Sequence, residues 1–263
     1  MKTKSLTIAL SVAWRRYPER FEQLTGNGFA AEYSPNPDDW RMLPTQLETL
    51  VVNNVPVRHH AFFPEHEFGH ADADIAELAL GLHFAALEAM WGWGEPVVTV
   101  HIGLDVSNSS EWQIDHDRAA RNLKRLVEFA RRRGITVCLE NLRRGPTSNP
   151  ETVLDWASRA GAMITLDIGH AVSCQRVQDG ELAVTDIVDM FADRLHEVHM
   201  YERETDRHYP PADMSVLGPI VDRLLETDCR WWTIELDDLD EALATRRLLE
   251  DYLKAKNVHL PRF

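Results

Sequence analysis

The feature that most constrains this chain is a series of mostly apolar segments that each end in an acidic residue or a histidine. Five such segments end at His101, Glu140, Asp167, His199 and Glu235. The endings lie 27 to 39 residues apart, which is about the length of one strand followed by one helix. Because parallel strands joined by helices bring their carboxyl ends to one face, we expect these five side chains to converge.

Eight strand-like segments alternate with eight helical segments, which predicts an α/β fold of the (β/α)8 TIM-barrel type. The predicted strands are 5–13, 29–33, 55–60, 97–100, 135–139, 162–166, 195–198 and 231–234. The predicted helices are 17–24, 39–53, 72–91, 115–133, 150–160, 182–192, 215–227 and 241–256. No linker or shift in composition divides the chain, so we expect residues 1–263 to form one domain.

The net charge and the cysteine content indicate which binding partners and which cellular compartment to expect. The formal net charge of −14 makes nucleic acid and anionic membrane unexpected partners, since both need a basic surface. The three cysteines, at 138, 174 and 229, show no paired spacing, which is typical of a reduced, cytoplasmic protein. No apolar run approaches the ~20 residues of a membrane span.

The side chains at the strand ends indicate a divalent metal site. Carboxylate and imidazole ligands without thiolates suit Zn, Mn, Co or Mg, and we expect Zn or Mn first. Glu140, Asp167, His199 and Glu235 come from four strands and can hold one ion. A single histidine at a strand end is usually structural, but that explanation must here hold at five separate strands. The set allows two or three ions, with zinc favoured, if it also includes the histidines at 60, 101, 170 and 208.

Other polar residues receive different predictions. The segment Tyr201–Asp213 is long and polar for a connection within a compact domain, so we expect a functional loop. The histidines at 66, 70, 83, 196 and 259 fall in loops, in a helix or out of register, and we expect them to be solvated or structural. The segment Trp91-Gly92-Trp93 fits either core aromatics or a contact in a homo-oligomer, and we favour the core.

Three sequence strings resemble the xylose-isomerase-like TIM-barrel superfamily. They are Leu139-Glu140-Asn141-Leu142, Leu166-Asp167-Ile168-Gly169-His170-Ala171 and Glu197-Val198-His199. That superfamily contains isomerases and epimerases of sugars and sugar phosphates, dehydratases and the endonuclease IV family. By strand order the resemblance covers nearly the whole chain.

The resemblance to the ketose 3-epimerase branch implies one ion bound by Glu140, Asp167, His199 and Glu235. It also implies that Glu140 and Glu235 move protons while the metal polarises the carbonyl and hydroxyl of the sugar. In the same scheme His170 binds a substrate oxygen. Candidates to hold a phosphate or carboxylate of the substrate are the arginines at 143, 144, 203 and 207, with Arg143 and Arg207 foremost.

The resemblance to endonuclease IV implies a three-zinc cluster with nine protein ligands and hydroxide attack on a phosphodiester. Each ligand has a match, at His60, His101, Glu140, Asp167, His170, His199, Asp206, His208 and Glu235. Two features depart from this branch: the negative net charge, and the segment Tyr209–Asp213 in place of the usual glycine-rich string. The usual Gly-x-Gly stretch of the epimerases is absent there as well.

We therefore expect a divalent-metal-dependent isomerase or epimerase with one to three ions per chain. Its expected partner is a small polyhydroxylated or phosphorylated substrate. An endonuclease IV-like phosphoesterase is the first alternative, and a non-catalytic barrel that binds a sugar or a protein is the second.

Overall fold

Eight parallel strands close into a barrel in the computed structural model, which describes residues 5–103, 114–258 and 260. The barrel strands are β1 (Thr7–Ala13), β2 (Ala30–Ser34), β3 (Val57–Ala61), β4 (Val97–Val100), β5 (Thr136–Glu140), β6 (Met163–Asp167), β7 (Leu195–Met200) and β10 (Trp231–Ile234). Strands β8 (Arg203–Glu204) and β9 (His208–Tyr209) form a separate antiparallel hairpin. Around the barrel the order is β1-β10-β7-β6-β5-β4-β3-β2, which confirms the TIM-barrel prediction.

Helices follow the barrel strands and cover the sheet from outside. They are α1 (Tyr17–Gly26), α2 (Leu43–Val52), α3 (Ala73–Met90), α4 (His116–Arg131), α5 (Pro150–Ala160), α6 (Ile168–Ser173), α7 (Gln175–Gln178), α8 (Val184–Phe191), α9 (Leu217–Leu225) and α10 (Leu239–Ala255). Short 3-10 turns cover Trp14–Arg16, Trp40–Met42 and Pro146–Ser148. Several helices begin at an Asp or Asn whose side chain accepts from a first-turn N–H, as Asp72, Asp115 and Asp238 do.

Strands β5, β6 and β7 continue further toward their carboxyl ends than their apolar runs suggested. Glu140 is the last residue of β5 and pairs in register with Thr165. Asp167 is the last residue of β6 and pairs with His199. The sequence prediction ended β5 and β6 at their last apolar residue, but backbone pairing continues by one residue because its hydrogen bonds do not depend on the side chain. Strands β4 and β10, in contrast, end before His101 and Glu235.

Two regions contain structure that the sequence prediction missed. The hairpin β8–β9 lies within the segment 201–213, which was expected to be an irregular loop. Helices α6 and α7 follow β6 directly, before the helix that was predicted for 182–192. Both regions lie at the carboxyl ends of strands, on the face where the site is expected.

The barrel interior below the predicted site is unusually polar. The hydroxyls of Thr99 and Thr165 are 2.8 Å apart, and Thr233 donates to the buried carboxylate of Glu197 at 2.9 Å. Arg58 lies 3.5 Å from the same carboxylate and covers the ring of Trp231 at 4.3 Å. These contacts join residues of β3, β4, β6, β7 and β10, and therefore hold these strands together below the site.

Several smaller predictions have mixed outcomes. The core interpretation holds for Trp93, which packs against the core, but it is wrong for Trp91, whose side chain is 56% exposed. His83 is buried and structural, as expected, since its Nδ1 lies 2.9 Å from the carbonyl oxygen of Ala79. His259 lies outside the described residues.

The cysteines and the helices are relevant to the predicted cellular compartment. All three cysteines are free and buried. Among residues 5–103, 114–258 and 260, no helix has the length and apolar character that crossing a bilayer requires. The cytoplasmic setting and the homo-oligomer both stay predictions.

Candidate active site

A cavity of about 380 Å³ opens at the carboxyl ends of the barrel strands. Eight predicted site residues line it: His60, His101, Glu140, His170, Asp206, Arg207, His208 and Glu235. Asp167 and His199 lie buried beneath it, and Arg143 is not part of its wall. The strand ends therefore converge on one cavity, as their sequence spacing indicated.

A compact cluster forms the floor of this cavity. Each of Glu140, Asp167, His199 and Glu235 offers one ligand atom, and the four atoms lie within 4.8 Å of one another. From His199 Nδ1 the distances are 3.0 Å to Glu235 Oε2, 3.3 Å to Glu140 Oε1 and 3.8 Å to Asp167 Oδ2. We call these four residues the central cluster.

The central cluster fits a divalent metal ion. Glu140 Oε2, Asp167 Oδ2 and His199 Nδ1 are buried beside ionisable neighbours, but none makes a hydrogen bond of regular geometry with the residues that the structure describes. Buried polar atoms without partners are costly and rare, and gathered carboxylates repel one another. A cation among them removes both penalties, and three carboxylates with one imidazole form a donor set that Mn or Zn accepts.

A second cluster adjoins the first and shares Glu140 with it. His60, His101 and Glu140 also place their ligand atoms within 4.8 Å of one another. Glu140 Oε2 lies 2.9 Å from His101 Nε2 and 3.4 Å from His60 Nε2. Burial, aided by His101, lowers the pKa of His60 to about 3, so this ring is neutral and can bind a metal.

The remaining predicted metal ligands have other partners. His170 Nδ1 lies 2.9 Å from Glu204 Oε2, and His208 Nδ1 lies 2.8 Å from the carbonyl oxygen of Glu235. Asp206 is exposed and accepts hydrogen bonds from Thr205 and Tyr209. None of these three residues belongs to a group of potential metal ligands among the described residues, and their roles as ligands stay predictions.

Both arginines predicted to bind substrate already have protein partners. Arg143 donates to the carbonyl oxygens of Glu204 and Thr205, at 3.0 and 2.7 Å, and so holds the hairpin β8–β9. Arg207 forms a two-pronged ion pair with Glu241, at 2.7 and 2.9 Å. A substrate anion would have to compete with these partners, and the predicted role of both residues is untested.

The two sharpest sequence motifs have clear structural roles. The Asn141 side chain pairs with both backbone groups of Asp167, donating to its oxygen and accepting from its nitrogen, each at 2.9 Å. Asp167 Oδ1 caps α6 by accepting from the His170 N–H at 2.6 Å. A Cβ atom at Gly169 would lie 1.9 Å from the Tyr201 ring. The motifs thus fix Asp167 so that its second oxygen stays in the central cluster.

Glu32 is a site residue that the sequence prediction missed. It lies on β2, is fully buried, and its Oε1 lies 3.0 Å from Nε2 of His199. A carboxylate on one ring nitrogen directs the other toward a metal, as in many metal sites. The signal was present, since a charged residue within the apolar segment 29–33 must find a partner.

The carboxylates around His199 favour its protonated form in the metal-free protein. Burial lowers the pKa of this ring, but Glu32, Glu140 and Glu235 outweigh burial and raise it well above its usual value. Glu140 responds in the opposite direction: against burial, His199 and His101 lower its pKa well below the usual range. Burial raises the pKa of Asp167 to about 6, partly offset by His170.

Metal binding near neutral pH is therefore expected to release about one proton per ion. The raised pKa keeps His199 protonated at pH 7, and coordination requires the bare Nδ1 lone pair. Apparent affinity should rise with pH until the pKa of His199 is passed. Calorimetric titration in buffers of different ionisation enthalpy measures the released protons, and a value near zero at pH 7 would contradict this assignment.

Replacing Glu32 with Gln is expected to weaken metal binding by about 10- to 100-fold. The amide keeps the shape but no longer fixes the proton on Nε2 of His199. Glu197→Gln is the control, since Glu197 is equally buried in the barrel but contacts Thr233 and Arg58 instead of the cluster; thermal stability is measured as well, because this change removes a buried partner of Arg58. Equal metal affinities for both variants and the wild type would rule out the positioning role of Glu32.

Comparison with known proteins agrees with this architecture. A family model described as xylose isomerase-like TIM barrel matches residues 23–255. The uncharacterized protein MJ0008 of Methanocaldococcus jannaschii is 36% identical over 162 residues, which are 61% of this chain and 68% of that protein.

Two solved structures share the fold at low sequence identity. A D-tagatose 3-epimerase-like protein superposes with a TM-score of 0.72 at 20% identity, covering 95% of this chain and 98% of that one. Endonuclease IV from Thermus thermophilus gives 0.70 at 17% identity, covering 95% and 99%. The match of the family model over most of the sequence shows that the chain belongs to the xylose isomerase-like TIM-barrel family.

Proposed function

We propose that this protein is a metal-dependent isomerase or epimerase of a small polyhydroxylated substrate. One observation carries the proposal: Glu140 and Glu235 belong to the central cluster and also line the cavity, Glu235 with an 18% exposed side chain and Glu140 almost fully buried, whereas Asp167 and His199 do not line it. Two carboxylates can therefore reach a substrate, while the other two ligands serve only the ion.

The four residues of the central cluster would hold one divalent ion, with Zn or Mn expected first. Such an ion, when bound, acts as a Lewis acid toward carbonyl and hydroxyl oxygens. Glu140 and Glu235 then remove a proton from the carbon beside the carbonyl and return it. His170 lies at the cavity wall, 3.9 Å from Glu140, where it can donate to a substrate oxygen.

The cavity supports a small substrate. Its volume of about 380 Å³ suits a ligand the size of a single sugar. The net charge of −14 gives no general attraction for a nucleic acid backbone. One protein of the same fold is named as D-tagatose 3-epimerase-like, which agrees with this substrate class without identifying the sugar.

A second candidate function, a phosphoesterase, has one specific observation in its favour. The cluster of His60, His101 and Glu140 offers room for a second ion beside the first. Paired metal sites are typical of enzymes that cleave phosphate esters. Against this candidate, no group of potential metal ligands among the described residues includes Asp206 or His208.

The experiment that tests the proposal is hydrogen exchange during turnover. The protein, loaded with Mn or Zn, is incubated in D2O with a panel of ketoses and ketose phosphates, and NMR follows deuterium at the carbons beside the carbonyl. We expect metal-dependent exchange and interconversion that a chelator abolishes. Cleavage of a phosphodiester without exchange would favour the phosphoesterase. If neither reaction is observed, the result would favour a non-catalytic barrel that binds its ligand.

A further inference from the structure

Four arginines line the cavity, and three of them are bound by the protein itself. Arg16 forms an ion pair with Asp237 at 3.1 Å. Arg20 is buried and donates to the carbonyl oxygens of Leu236 and Asp237 at 2.7 and 2.8 Å. Arg207 is paired with Glu241. These three cations have structural partners, which leaves the fourth, Arg15.

Arg15 is exposed at the cavity and makes no hydrogen bond or ion pair with any residue in the described parts of the chain. It lies in the 3-10 turn Trp14–Arg16, which follows β1 and leads directly into α1. A guanidinium group that has no protein partner in the wall of a cavity attracts negative charge and can donate two parallel hydrogen bonds to an anion.

Arg15 also marks the outer end of the cavity. A neighbouring hollow of about 270 Å³ shares Ala13, Arg15, Ser34 and Phe62 with the site cavity, so the two adjoin at these residues. The wall of the outer hollow carries Asp38 and Glu65, which would repel an anion. The cavity wall also carries acidic side chains, among them Glu204, Asp206 and Asp237, so negative charge is favoured only in the immediate neighbourhood of Arg15.

We propose that Arg15 binds an anionic group, phosphate or carboxylate, at the end of the substrate remote from the central cluster. The proposal narrows the substrate class of the proposed function to sugar phosphates or sugar acids, and rests on that function only for the location of the substrate. The guanidinium group matches either anion with two parallel hydrogen bonds. In this proposal Arg15 is a specificity-determining residue, while the predicted roles of Arg143 and Arg207 stay untested.

Anion binding without turnover tests the proposal separately from the reaction. The full-length, metal-loaded protein is titrated calorimetrically with inorganic phosphate and, in a second arm, with acetate at constant ionic strength. We expect Arg15→Gln to weaken binding of the preferred anion by about tenfold and Arg15→Lys to weaken it less. Tighter phosphate binding indicates a sugar phosphate, and tighter acetate binding a sugar acid.

The matched control is Arg131→Gln, which removes the same charge from an exposed position on α4, away from the cavity. Metal content and thermal stability are measured for every variant, so that loss of the ion is not mistaken for loss of Arg15. The proposal is overturned if the wild type binds neither anion at millimolar concentration. It is equally overturned if Arg15→Gln binds like the wild type or no worse than Arg131→Gln.

Discussion

The Glu140→Gln variant is expected to lose at least about a thousandfold in turnover and most of its bound metal. Glu140 is the one residue that both metal clusters share, and its carboxylate lies 2.9 Å from His101 and 3.3 Å from His199. Glutamine keeps the size of the side chain but removes the charge that binds a cation. It also removes the oxygen that accepts the substrate proton.

Exchange in D2O and elemental analysis of the purified variant measure the two losses. Glu77→Gln is the matched control, because Glu77 forms an exposed ion pair with Arg125 and such pairs contribute little to stability. A Glu140→Gln protein that binds metal and turns over like the control would remove the basis for the proposed function.

Replacing Glu235 with Gln should also lower turnover about a thousandfold, but its effect on metal binding should be weaker than that of Glu140→Gln. Glu235 has an 18% exposed side chain and is the most accessible member of the central cluster. Glu140, Asp167 and His199 remain to bind the ion, so we expect weakened affinity that a higher metal concentration restores. Turnover should not return, because the missing group also transfers a proton.

A titration of activity against metal concentration separates these effects. The control is Glu250→Gln on α10, where Glu250 pairs with Arg246 far from the cavity wall. If saturating metal brings Glu235→Gln back to wild-type activity, Glu235 is only a ligand and proton transfer must be assigned elsewhere.

The barrel and its central cluster could be predicted from the sequence because one physical rule governs both. A charged residue at the end of an apolar strand needs a partner, and parallel strands bring such ends together. Glu140 and Asp167 illustrate this rule, and the structure places both at the last position of their strands. Fold and cluster therefore follow from the same spacing.

Other parts of the site could not be predicted, since they depend on which charges are already paired. Arg143 and Arg207 looked like free cations in the sequence, but the hairpin and Glu241 bind them. The sequence indicated no role for Arg15, and only the structure shows that it lines the cavity without a partner among the described residues. Glu32 was overlooked because its partner, His199, lies 167 residues away.

The central claim is that Glu140, Asp167, His199 and Glu235 together hold a divalent ion at the floor of the cavity. Anomalous diffraction from crystals grown with Mn or Zn tests it most directly. We expect a peak within about 2.0–2.3 Å of a ligand atom from each of the four side chains. A peak elsewhere, or none at this cluster under saturating metal, would contradict the claim.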